Sequence, residues 1–253
     1  MNKSAHLTRI ALIAIAIFTL PSLAKAQNFY DDFQNNSTTQ SKWSLTLLNT
    51  NNSPYYNSEI TESNGVLSLK NGAYASPNVS LTTPYTILGS FGNYTNNAGS
   101  SFFLTLRSDI SLNTSWNPYY PTNYPVLTGL MVRFGSTNHI AIEQVSASGA
   151  LNQIASIDTP IRPLNQLTSF SVTDNGGSIS VTLDGHQYIT DLSTSFSTGN
   201  KAVFSTDATY SPQSQGTQIS LGPVSIVPEP STFSFMTMTA LGLLSQRRRM
   251  RIE

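Results

Sequence analysis

Apolar residues recur at every second position through the middle of this 253-residue chain. Leu130, Val132 and Phe134 alternate with Met131 and Arg133, and Phe170 and Val172 alternate with Ser171 and Thr173. Ile179, Val181 and Leu183 are separated by Ser180 and Thr182; Phe102, Leu104 and Leu106 form another line, and Leu67 and Leu69 a shorter one. A side-chain period of two buries one face of a strand and wets the other. Asp174-Asn175-Gly176-Gly177 lies between two such lines and reads as a hairpin turn, and Asp184-Gly185 makes a second before His186-Gln187-Tyr188-Ile189. No segment between the two ends sustains a 3.6-residue apolar period. The expected fold is all-β, a two-sheet antiparallel sandwich of roughly a dozen strands rather than a barrel. No repeat of fixed period is present, which argues against a solenoid or propeller.

The ends have a different grammar. Lys3 and Arg9 precede an apolar run from Ile10 to Leu20, Pro21 ends it, and Ala24-Lys25-Ala26 has the small-x-small form that signal peptidase accepts. Residues 1–26 therefore read as a signal peptide. At the other end Val227-Pro228-Glu229-Pro230-Ser231 leads into an apolar run from Phe233 to Leu244, closed by Arg247, Arg248, Arg249 and Arg251. Residues 231–246 would make a helix of about 24 Å, marginal against a hydrocarbon core of about 30 Å. Four arginines beyond it are costly to translocate, so the segment reads as a stop-transfer transmembrane helix with a basic tail.

Between those ends, residues 27–227 form one β-sandwich domain long enough for a substantial core. Eleven acidic and six basic residues give it a net charge of −5, although the whole chain sums to zero because seven of thirteen basic residues sit in the terminal signals. A mildly acidic domain without a basic patch excludes nucleic acid as an expected partner. The chain has no cysteine, so disulfides, thiol nucleophiles and thiolate metal sites are excluded together.

Val227-Pro228-Glu229-Pro230, a short apolar segment and a terminal arginine cluster resemble the PEP-CTERM sorting signal of Gram-negative bacteria. The resemblance covers about a tenth of the chain, and the apolar segment departs from the pattern in being short and diluted by Thr232, Thr237, Thr239 and Ser245. It implies a sorting signal over 228–253, with Pro228, Glu229 and Pro230 recognised by an exosortase-like enzyme. It also implies export across the inner membrane, transient membrane anchoring, and release to the cell surface or outside. The central region resembles the concanavalin A-like jelly roll of lectins, laminin-G-like modules and certain glucanases. The points of likeness are Phe29-Tyr30-Asp31-Asp32-Phe33 with Trp43 ten residues on, Asn64-Gly65-Val66-Leu67-Ser68-Leu69, Gly129-Leu130-Met131-Val132-Arg133-Phe134, and the hairpin ending at Leu183-Asp184-Gly185. That resemblance implies that Gly222-Pro223-Val224-Ser225-Ile226 returns as the last strand beside the first.

Glucanases of that fold place catalytic carboxylates in a Glu-x-Asp-x-x-Glu pattern, which is absent here. Glycoside hydrolysis needs two facing carboxylates. Glu59 and Glu62, three apart, point to opposite faces of a strand. Glu143 points away from the Ile140 and Ile142 side, with no carboxylate near it in sequence. His139 and His186 are too few for a multi-histidine zinc site, and there is no Gly-x-Ser-x-Gly elbow. No catalytic residue and no cofactor is expected. Calcium is the one open alternative, since Asp31, Asp32 and a neighbouring carbonyl or Asn would supply part of its oxygen shell.

The binding candidate is Trp116-Asn117-Pro118-Tyr119-Tyr120-Pro121-Thr122-Asn123-Tyr124-Pro125. Such a run cannot form a regular central strand. It suits a stiff loop whose rings (Trp116, Tyr119, Tyr120, Tyr124) stack on sugar faces, with Tyr55 and Tyr56 contributing from another loop. The alternative is that Trp116 and Tyr119 cap the open end of the sandwich. The expected function is thus a non-catalytic envelope or matrix protein that binds polysaccharide weakly. A structural surface protein without a discrete ligand and a divergent polysaccharide hydrolase are the alternatives.

Overall fold

The computed structural model describes residues 28–46, 59–93, 101–113, 124–135, 138–146, 150–163, 166–196, 199–206 and 218–229. In chain order its elements are β1 (Phe29–Asp31), α1 (Asn36–Lys42), β2 (Trp43–Thr46), β3 (Glu59–Ser63), β4 (Val66–Lys70), β5 (Tyr74–Pro77), β6 (Tyr85–Asn93), β7 (Phe102–Asn113) and β8 (Tyr124–Phe134). They continue through β9 (His139–Val145), β10 (Leu151–Asp158), β11 (Thr168–Asp174), β12 (Ser178–Leu183), β13 (His186–Ser193), β14 (Lys201–Thr206), β15 (Gln218–Leu221) and β16 (Val224–Pro228). Nine strands make one antiparallel sheet, β13-β12-β11-β6-β15-β4-β3, with β16 beside β6 and β1 beside β16. Seven make the other, β10-β9-β8-β7-β14-β5-β2. The fold is the two-sheet antiparallel jelly-roll sandwich that the alternation predicts, with more strands. The additional ones are short, three residues in β1 and four in β2, β5 and β15.

Asx-Gly pairs set the register of two hairpins. Asn64-Gly65 joins β3 to β4 with φ of 52° and 75°, and Asp184-Gly185 joins β12 to β13 with φ of 47° and 77°. Two consecutive left-handed residues twist in the sense of the flanking strands, and an Asx-Gly pair adopts that conformation at least cost. The final strand returns beside the first as expected: Phe29 faces Ile226 and Asp31 faces Val224.

The inward positions fill the space between the sheets. Phe102 sits at its centre, with ring centroids of Phe91, Phe134, Phe170 and Phe204 at 4.8, 5.4, 5.4 and 6.2 Å. Trp43 packs edge-on against Phe29 at 5.1 Å and Phe204 at 5.4 Å. Arg162 covers the Phe91 end, its guanidinium 5.7 Å above that ring and hydrogen-bonded to Thr159 Oγ1 and the Gly135 carbonyl. Burial lowers its pKa below the ordinary arginine value. The opposite end is closed by a buried ion pair between Arg107 and Asp174.

The expectation of a transmembrane helix, and with it of transient membrane anchoring, is corrected. No helix among the described residues is long and apolar enough to cross a membrane. The one helix described, α1, has seven polar residues, Asn-Ser-Thr-Thr-Gln-Ser-Lys, and spans about 10 Å against the about 30 Å required. The segment 231–246 and Arg247, Arg248, Arg249 and Arg251 lie outside the described residues, as does the signal peptide 1–26. Pro228 ends β16 opposite Tyr85. Glu229 donates its N–H to the Pro84 carbonyl at 3.1 Å and accepts from Thr86 Oγ1 at 2.5 Å. Pro230 lies outside the described residues.

Candidate functional site

The seven-stranded sheet carries the chemistry on its outward face. With Ile142, Val132, Leu104 and Phe204 turned into the core, the intervening residues of the same strands point the other way. Register sets Gln153, Glu143, Met131, Thr105 and Val203 side by side across β10, β9, β8, β7 and β14. The next line runs Ser156, Ala141, Arg133, Phe103, Ser205, Tyr74 and Thr46, ending on β5 and β2. Arg133 Nη2 meets Glu143 Oε1 at 3.0 Å, diagonally between the two lines.

Outward positions on a sheet are ordinarily wet, yet several of these are buried. Thr105, Ala141 and Val203 are 0% exposed, Tyr74 4% and Glu143 5%. Four polar atoms there have no hydrogen-bond partner: Tyr74 OH, Thr105 Oγ1, Arg133 Nε and Glu143 Oε2. Buried polar groups are nearly always paired, so four unpaired ones on a single face of the sheet stand out. Two are hydroxyls that donate and accept, one is a donor and one an acceptor. That mixture suits a neutral polyhydroxylated ligand.

Burial pushes the Tyr74 phenol above the ordinary tyrosine value. Burial and then the neighbouring Asp174 carboxylate push Tyr85 up as well. Both are held neutral in the fold, whereas an unfolded tyrosine ionises near pH 10. A raised folded pKa leaves stability intact below about pH 10 and removes it as pH rises further. The melting temperature is therefore expected to fall steeply between about pH 10 and pH 11.5, and more gently in Tyr74→Phe, by thermal unfolding followed by circular dichroism. An identical slope in Tyr74→Phe contradicts this assignment.

The residues predicted from sequence fall in different places. Trp116, Tyr119 and Tyr120 belong to 114–123, the connection between β7 and β8, and lie outside the described residues; so do Tyr55 and Tyr56, in 47–58 between β2 and β3. Tyr124 opens β8 with its backbone opposite Asn113. Tyr124 and Pro125, the end of the aromatic run, therefore belong to the same seven-stranded sheet that carries Arg133 and Glu143.

Asp31 is buried at the start of the domain, where both its oxygens already accept hydrogen bonds. Oδ2 takes Trp43 Nε1 at 2.8 Å and Thr39 Oγ1 at 3.2 Å, while Oδ1 takes the Phe33 N–H at 3.2 Å. Asp32 accepts the Gln34 N–H at 3.3 Å. Asp31 thus ties β1, α1 and β2 together, with Thr39 the buried residue of α1. Among the described residues no group of three or more His, Cys, Asp or Glu is placed to hold a metal ion. His139 is half-buried on β9, and His186 is exposed where β13 begins.

Glu59 faces outward and pairs with Lys70 at 3.1 Å, while Glu62 points to the other face of β3, as their spacing requires. Along the two lines around Arg133, Glu143 is the only carboxylate among the described residues. Glycoside hydrolysis by acid and nucleophile or base takes two.

No family profile matches the chain, and no curated protein matches it in sequence. Solved structures match its fold. The β-glucanase of Bacillus licheniformis is 13% identical, with 81% of this chain and 100% of that chain covered and a TM-score of 0.55. The carbohydrate recognition domain of Emp47p is 13% identical over 83% of this chain and 100% of that one, with a TM-score of 0.54. A Bacillus subtilis protein of unknown function with a galectin-like fold is 9% identical over 79% and 96%, also with a TM-score of 0.54. The domain has the concanavalin A-like jelly-roll fold shared by lectins and glucanases. At these identities the likeness establishes architecture alone.

Proposed function

We propose that the domain is a non-catalytic carbohydrate-binding module whose ligand, a neutral polysaccharide, lies against the outward face of the seven-stranded sheet. The observation that carries this reading is the gathering of unpartnered polar atoms from Tyr74, Thr105, Arg133 and Glu143 on that face. Sugar hydroxyls would complete them as binding uncovers the face, pairing groups that the free fold leaves without a partner. Trp116, Tyr119, Tyr120 and Tyr124, with Tyr55 and Tyr56, supply the flat rings on which sugar faces stack. A single carboxylate in an ion pair supports binding rather than hydrolysis. Under the same reading, signal peptidase removes residues 1–26, and an exosortase-like enzyme processes the chain at Pro228-Glu229-Pro230.

Titration with laminarin, xylan and agarose fragments tests it. The protein is expected to bind at least one without releasing reducing ends, and Arg133→Ala and Trp116→Ala are each expected to weaken binding about tenfold, about 1.4 kcal/mol. No binding across a broad glycan array would leave a structural surface protein as the better account. Sustained release of reducing ends, abolished by Glu143→Ala, would make the domain a hydrolase.

A further inference from the structure

The β7–β8 hairpin carries a register shift part-way along its length. β9 pairs with β8 from Phe134 back to Gly129, so among the described residues Asp109–Asn113 and Tyr124–Thr128 pair only with each other, as a two-stranded ribbon beyond β9. At the base of that ribbon the β7–β8 register shifts between Leu106 and Asp109. Such a bulge bends a strand and re-aims what lies past it. Arg107, inside the bulge, has a φ of 49°, a conformation that a residue with a Cβ rarely adopts.

Contacts from every side hold this bend. The Arg107 guanidinium reaches across to the other sheet, where Nε lies 2.9 Å and Nη2 2.6 Å from the Asp174 carboxylate. Asp174 in turn accepts from Tyr85 OH at 3.0 Å and the Gly176 N–H at 2.8 Å. The Arg107 carbonyl accepts the Gly199 N–H at 2.9 Å, and Thr128 Oγ1 donates to the Asp109 carbonyl at 3.0 Å. Facing the bulge, Gly129 has a φ of 154°, and a Cβ there would stand 2.6 Å from the Leu106 carbonyl oxygen. A Cβ on Gly199 would stand 2.0 Å from the Ser108 carbonyl oxygen. The bend is over-determined by backbone shape and by a buried charge pair drawn from both sheets, which is how an uncommon backbone conformation persists.

We propose that Arg107, Asp174 and Gly129 are positioning residues: they form an elbow that sets the direction of the ribbon relative to the glycan face. The functional half of this inference rests on the carbohydrate-binding reading; the geometric half does not. The chain lacks cysteine, so spin labels can be placed without background at Ser111→Cys on the ribbon and Ser171→Cys on the nine-stranded sheet. Pulsed electron spin resonance on the full chain is expected to give one narrow distance in the parent, and a shifted or broadened one in Gly129→Ala and Arg107→Lys. Arg107→Lys keeps the charge and loses the fork, and it reads the same distance if Gly129→Ala does not fold. Affinity for the bound glycan is expected to fall about tenfold in either variant. Ile219→Ala serves as the control, since it opens the core where Ile219 faces Asn93, at the end of β6 away from Tyr85, and should leave affinity unchanged. An unaltered distance in both variants overturns the elbow, as does an affinity loss no greater than that of Ile219→Ala. If the parent binds no glycan, the carbohydrate reading fails, and the distance measurement still decides whether these residues aim the ribbon.

Discussion

Asp174→Ala is expected to lower the unfolding free energy by about 3–5 kcal/mol, the range for breaking a buried ion pair by removing one partner. Asp174 is 0% exposed and Arg107 4%. The carboxylate accepts from Arg107, Tyr85 and the Gly176 N–H, so its loss leaves a buried guanidinium, a phenol and a turn N–H short of partners. An uncompensated buried charge outweighs the methylene packing lost, so the effect should exceed that of a comparable apolar truncation. Urea unfolding followed by far-ultraviolet circular dichroism reads it directly. The double variant Arg107→Ala/Asp174→Ala should be less destabilised than the two single effects predict, because removing both charges abolishes the orphaned one. A loss under about 1 kcal/mol in Asp174→Ala, typical of an exposed pair, would contradict the account.

Phe102→Ala is expected to cost a similar amount, about 3–5 kcal/mol. Phe102 is 0% exposed, and four other phenylalanine rings lie within 6.2 Å of it, from β6, β8, β11 and β14. Those strands belong to both sheets, so the cavity would open where the layers meet, with ring-lined walls that collapse poorly. Phe103, one residue along and half-buried on the outward face, offers the comparison. Its truncation to alanine should cost less than half as much in the same urea titration, and equal costs would mean that the period-two division of β7 does not mark the core.

That division is the part of the fold most legible in the sequence. Leu67 and Leu69, Phe102 to Leu106, Leu130 to Phe134, Phe170 and Val172, and Ile179 to Leu183 all lie on strands with their apolar members inward. The Asp174-to-Gly177 and Asp184-Gly185 hairpins were legible because turn chemistry acts locally, whereas the return of the final strand beside the first followed from the resemblance to the jelly roll. Strands of three or four residues, β1, β2, β5 and β15, are too short for alternation to register. α1 escapes because its seven polar residues carry no apolar stripe; it is held by Thr39 reaching Asp31.

The site was less legible for a different reason. Arg107 and Asp174 are 67 residues apart and meet only because the sheets stack. The local hint was a lone arginine ending the apolar line from Phe102. Thr105, Glu143 and Tyr74 occupy positions that alternation assigns to solvent, and alternation cannot see that such a face is buried. The sequence gives no sign that the Asp31 carboxylate accepts the indole N–H of Trp43, twelve residues on, because that contact forms only once β1 and β2 are placed by the fold.

The most direct measurement is a chemical-shift map of the isotopically labelled protein titrated with a soluble neutral polysaccharide such as laminarin. Binding at the outward face of the seven-stranded sheet should move the amide signals of Tyr74, Thr105, Arg133 and Glu143 together, along with those of 114–123. Saturable shifts confined to the nine-stranded sheet, or none at millimolar sugar across a panel of neutral glycans, would contradict it.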